Sequence, residues 1–202
     1  MTHTSSIRRR TYALKLSVGA LCIASAPALA ATTVFGLPLG EPLRLPECPT
    51  RVIAGMAEYV TQPPVTCYHA PHKLNGYPEP ARRIIFSQAE QPLIVKNWQA
   101  VALEQDGVLV GLEFHTGGVS SQDVVYRELV QKFGQPSSRY TEASQNAMGA
   151  RFDVINASWD GAVVVTFYGA LGKLDDGVVT IDLPRAAAAR RSWQDRSGER
   201  RL

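Results

Sequence analysis

Apolar residues recur along this chain with two periods, and the changes of period mark its elements. Between residues 93 and 115 they fill two runs, 93–104 and 108–115, separated by Gln105-Asp106-Gly107. Asp-Gly flanked by β-branched apolar residues is a strong hairpin signal, so these runs pair as the first predicted hairpin. At residue 120 the period becomes helical. Val125, Leu129 and Phe133 recur every four residues with Val130 beside them, while Arg127, Glu128, Gln131 and Lys132 take the polar side. Ser120 is the predicted cap, Gln122 and Asp123 give a capping-box-like first turn, and Gly134 with Pro136 ends the helix. The apolar stripe reads as core, not as a partner groove.

Strand-like runs return at 138–142, 151–159, 163–168 and 178–183, and Asp160-Gly161 and Asp175-Asp176-Gly177 are the turns between the last three. Upstream, 52–54, 65–69 and 82–86 are shorter strand candidates, and 71–80, with Asn75-Gly76, is a loop. Over 31–50 the residues Gly36, Pro38, Gly40, Pro42, Pro46 and Pro49 deny a helix interior and predict an extended lead-in. Strands, one helix, then strands predict an α+β domain. Its antiparallel sheet of hairpins and meanders carries one main amphipathic helix on one face. Residues 106–114 and 176–183 share an Asp-Gly-Val start and a β run.

Composition changes the picture at the two ends. Arg8, Arg9, Arg10 and Lys15, an apolar run over 14–26, and the small residues of Ala28-Leu29-Ala30 are the three parts of a secretory signal cleaved after Ala30. The run is far short of the ~20 residues that span a bilayer, so no transmembrane segment is expected after cleavage. Leu21 precedes Cys22 where lipoprotein signals carry a small residue. Arg9-Arg10-Thr11-Tyr12 loosely resembles a twin-arginine signal, but Arg8 and Ala13 depart from it, which favours the general secretory route. The predicted organisation is a signal peptide over 1–30, a single domain over 31–184 and a basic tail over 185–202 that is disordered or a short frayed helix. The expected location is the periplasm or outside the cell.

Without the signal, 17 basic residues face 18 acidic ones. Six of those basic residues are arginines of 185–202, so 31–184 keeps 11 basic and 16 acidic residues, a net of −5. This balance opposes a nucleic-acid footprint. The tail has charge for weak contact with anionic lipid, although Asp195 and Glu199 dilute it.

Cys48 and Cys67 remain after cleavage, and an even pair in an exported chain predicts one disulfide. The rival is a metal site. Cys67, His69 and His72 form a C-x-H-x-x-H string that, with Cys48, suits zinc or copper, while Pro71 and an oxidising compartment oppose it. No cofactor is expected. G-x-S-x-G, H-E-x-x-H, P-loop and G-x-G-x-x-G motifs do not occur. One place suits a hydrolase-type reaction: His115-Thr116-Gly117-Gly118 ends a strand before the helix, with His115 as base and Asp123 as its orienter. The simpler reading is a glycine turn between strand and helix. Trp98, Trp159 and Tyr168 fill the core or cover the sheet, with a ligand cleft or a partner surface as the alternatives.

The helix end Leu129-x-x-Lys132-Phe133-Gly134-x-Pro136, followed by strands, is similar to one in small exported bacterial envelope domains. These are the outer-membrane-assembly lipoprotein domain and the related β-lactamase-inhibitor-protein-like fold. The likeness covers about residues 119–183 and implies a binding or scaffold role in a Gram-negative envelope. The family's lipid-attachment cysteine is absent from this sequence. The function expected is a non-enzymatic accessory or inhibitor-like module whose sheet face or loops engage an envelope protein. The alternatives are a small hydrolase-type enzyme using His115 and a periplasmic metal-binding protein using His69 and His72.

Overall fold

The proline- and glycine-rich lead-in folds back on itself before the main sheet begins. Thr33–Val34 (β1) and Leu37–Pro38 (β2) pair around Phe35-Gly36 and bury Val34, Leu37 and Leu39. The computed structural model describes residues 32–70, 74, 77 and 80–197. Ala31–Leu202 groups as one unit apart from Met1–Ala30, which lies outside the described residues, as do His72 and most of the 71–80 loop.

Thr50–Ile53 (β3) and Met56–Tyr59 (β4) form a separate two-stranded hairpin. There follow Cys67–Tyr68 (β5), Ala81–Ile85 (β6), Gln99–Gln105 (β7), Val108–Thr116 (β8), Gln122–Phe133 (α1), Ser138–Gln145 (β9), Arg151–Trp159 (β10), Val164–Lys173 (β11), Asp176–Asp182 (β12) and Pro184–Ser197 (α2). The predicted α+β class holds. Eight antiparallel strands make one sheet in the order β5-β6-β7-β8-β12-β11-β10-β9. It is two four-stranded meanders joined where β8 pairs β12, with α1 connecting them along the chain. The strands that share the Asp-Gly-Val start are the two that meet at this joint.

Side chains alternate across each strand and so divide between two faces. The front face carries the main core: Ala100, Ala102, Leu112, Phe114, Ile155, Ala157, Trp159, Val165, Phe167, Val179 and Ile181. Val125 and Leu129 of α1 and the β1–β2 hairpin pack onto it, each fully buried aliphatic side chain being worth roughly 1.5–3 kcal/mol. Trp159 Nε1 donates to Gly134 O at 2.8 Å and satisfies a carbonyl at the helix C-terminus.

Three local expectations are corrected. Ser121, not Ser120, stands at the N-cap and makes no side-chain cap bond. Gln122 is instead drawn to the sheet, accepting from Ile155 N and donating to Asp153 O, each at 2.8 Å. The run predicted from 93 becomes a strand only at Gln99, because a turn closed by Val95 N to Pro92 O leads into a 3-10 turn with left-handed Asn97 and Trp98. The tail expected from 185 as a frayed helix or a disordered end is a helix that runs to Ser197 and is anchored in the fold, with Arg190 only 6% exposed. Its guanidinium donates twice to Asp182, at 2.7 and 2.8 Å, and once to Glu113 at 2.7 Å. Asp182 and Glu113 alternate with front-face residues, so α2 lies on the back of the sheet. Gly111 makes room for this pair, since a Cβ there would come 2.0 Å from Asp182 Oδ1.

Candidate functional site

The two edges of the sheet differ, and the difference locates the site. β5 is two residues long. The Cys48–Cys67 disulfide predicted from the sequence ties it to the preceding segment, with the Cα atoms 4.9 Å apart, and Glu47 bridges to Tyr68. β9, at the other edge, is eight residues long and pairs with β10 in unbroken register from Ser138↔Ser158 to Gln145↔Arg151. It contains no proline and no bulge, and seven of its eight residues are exposed. Its outer side offers the backbone N–H and C=O groups of an unpaired edge.

Just inside this edge the sheet splays. The β10–β11 ladder ends at Asn156↔Tyr168, whereas β9–β10 pairing continues to the Asn146–Ala150 turn. Gly169 explains the parting: a Cβ there would stand 2.6 Å from Gln122 Oε1 and 2.7 Å from Ile155 O. The Gln122 carboxamide therefore takes the place of a strand backbone where β11 leaves β10. A groove of about 650 Å³ opens on the back face, lined among others by Tyr140, Glu142, Asn156, Tyr168 and Lys173.

Register sets the floor of that groove. Tyr140 lies opposite Asn156, which lies opposite Tyr168, so the three share one cross-strand row on one face. The same row runs on through Val178 to His115. Asn156 is 4% exposed, and its Oδ1 is buried without a hydrogen-bond partner. Such an acceptor is uncommon in folded proteins and costs about 1–3 kcal/mol.

His115 lines a neighbouring cavity of about 330 Å³ with Lys96, Gln99 and Asp176, and Lys173 borders both spaces. The structure orients His115 through Asp176, not the predicted Asp123: His115 Nδ1 lies 2.9 Å from Asp176 Oδ1, whereas Asp123 is exposed on the first turn of α1. An imidazole held this way is the base half of a nucleophile–base pair. Among the described residues, no hydroxyl or thiol bonds to the imidazole.

The rival metal site loses its thiolates, because Cys48 and Cys67 are joined to each other. The His69 ring stacks on Tyr59 at 3.9 Å between centroids, and His72 is outside the described residues. Of the aromatic residues singled out in the sequence, Trp159 packs in the core, Trp98 is half-buried at the end of the 3-10 turn before β7, and Tyr168 lines the groove.

Burial pushes the Asp182 carboxyl above its ordinary range, although the Arg190 bonds and charge pull the other way. Burial alone would weaken the Arg190 proton, but the bonds to Asp182 and the field of Asp182 and Glu113 hold it more tightly than usual. The cluster is thus a permanent cation between two carboxylates at the joint of the meanders.

Sequence reasoning missed Asn156, Tyr140 and Arg190. A signal for the first existed: β10 is apolar at both parities around it, so an asparagine between Ile155 and Ala157 marks a polar group forced indoors. No helix among the described residues is long and apolar enough to cross a membrane. Comparison with protein families, curated proteins and solved structures finds no match to this chain.

Proposed function

We propose that this chain is an exported binding module of a bacterial envelope, acting without catalysis by receiving an extended segment of a partner protein on β9. The observation that carries the reading is that edge: eight residues in regular register, exposed, with no proline or bulge and with no further strand paired to it among the described residues. Natural sheets ordinarily blunt such an edge, and an unblunted one is the template for strand addition. The Cys48–Cys67 disulfide supports an oxidising compartment. The amino-terminal signal pattern and the likeness of residues 119–183 to exported envelope domains agree with that setting.

The experiment places a photo-cross-linking residue at Ala143 on β9 and, separately, at exposed Ala54 in the β3–β4 turn, in the full chain expressed in its own envelope. The expected result is one partner protein captured from Ala143 through a single extended segment, and not captured from Ala54. Capture from Ala54 alone would move the binding surface to the stapled hairpin and overturn the reading.

A further inference from the structure

We infer that the back-face groove beside β9 binds a neutral oligosaccharide. This does not rest on strand addition, which uses the outward backbone of β9, whereas the groove opens on the face of the sheet.

Three features of the lining select that chemistry. The first is Asn156, 4% exposed in the groove floor, whose Oδ1 has no partner within the protein. A buried acceptor of this kind calls for a donor, a hydroxyl or an amide N–H, from whatever fills the space. The second is the pair of tyrosines in the same row, Tyr140 and Tyr168, one on each side of Asn156 and separated by two strand spacings, about 10 Å. A phenol ring offers an apolar face and a polar rim, the complement of a pyranose with its C–H face and equatorial hydroxyls.

The third feature is charge. The only ionisable acid or base side chains in the lining, apart from the two phenols, are Glu142 and Lys173, which cancel, while Ser144, Gln145 and Asn146 add uncharged donors and acceptors. A phosphorylated ligand would face Glu142 unfavourably, and a purely apolar one would leave Asn156 Oδ1 unpaired. The volume, about 650 Å³, is in the range of sites that hold small ligands.

The test titrates the isotope-labelled full chain with three tetrasaccharides: β-1,4-linked glucose, α-1,4-linked glucose and β-1,4-linked N-acetylglucosamine. NMR shifts are followed for the Asn156 side-chain amide and the backbone of β9–β11. Saturable shifts confined to the groove are expected with at least one of them. Asn156→Leu should weaken that binding about tenfold or more while leaving the unfolding temperature unchanged or higher, since it removes an unpaired acceptor along with the ligand's partner. Tyr140→Ala, at an exposed position that carries no folding risk, should weaken it as well. Absence of saturable groove shifts with all three sugars up to about 10 mM overturns the inference, as does binding to Asn156→Leu at unchanged affinity.

Discussion

At one end of the sheet the last strand is two residues long and held by a disulfide; at the other it is eight residues long, paired with β10 and touched by α1 through Arg139 over the Tyr126 ring. The first end is braced from several directions. Cys48, Cys67 and Ile85 form their own small cluster with Tyr59 against it, and Ala70 N donates to Tyr59 Oη at 3.0 Å. The second end is left open along its backbone and splayed on its back face, with the Gln122 carboxamide bonded to β10 where β11 departs. An isolated two-stranded hairpin such as β3–β4 is marginal in water, which explains why the covalent brace lies there. An eight-residue edge needs no brace to persist beside β10, but leaving it bare exposes the chain to edge-to-edge pairing. That contrast between a braced edge and a bare one is what the proposed strand-receiving role of β9 rests on.

Breaking the joint between the ends should have the largest effect. Arg190→Met leaves Glu113 and Asp182 buried without their cation and should cost about 3–5 kcal/mol in urea unfolding, with both ends losing protection together. Replacing Cys48 and Cys67 with serine should cost about 3 kcal/mol. Here hydrogen exchange should accelerate across β3–β5 and stay unchanged across β9–β12; uniform acceleration would show that the ends are not separable. Gln122→Ala removes the two bonds to β10 at the open end, strands Asp153 O and Ile155 N, and should cost about 1–3 kcal/mol, loosening the β9–β10 arm first.

The smallest effect belongs to Glu90 at the braced end. Hydrogen bonds from Thr66 and Ser87 hold its carboxyl below the ordinary value of 4.5. A carboxyl depressed in the folded state stabilises above its unfolded value, and that contribution disappears as pH falls through the folded one. The stability gap between the natural chain and Glu90→Gln, measured by urea unfolding, should therefore be small at pH 7 and close on acidification to pH 3.

The elements most legible in the sequence were those set by local chemistry. Asp106-Gly107 turns the β7–β8 hairpin because both residues adopt positive φ there, and α1 follows from Val125 and Leu129. The turn read at Asp175-Asp176-Gly177 lies instead at Leu174-Asp175, because β11 runs on to Lys173 through an irregularity sustained only by its pairing with β12. Arg190 was hidden for a similar reason. Its burial is dictated by Glu113, 77 residues away, so the polyalanine-arginine stretch carries no local sign of it. Among the candidate site residues, His115 was placed correctly at a strand end, but its true neighbour Asp176 comes from a strand 61 positions later. The disulfide was readable because an even cysteine count after the export-signal pattern suffices without geometry.

The central claim, that β9 receives a strand, is tested most directly by a proline scan from Arg139 to Glu142 in the full chain carrying the cross-linker at position 143. In an antiparallel edge strand alternate N–H groups point outward, so proline at those positions removes docking donors while sparing the β10 ladder. The account predicts that capture is lost at every second position among variants that stay folded. Full capture by folded variants at all of those positions would contradict it.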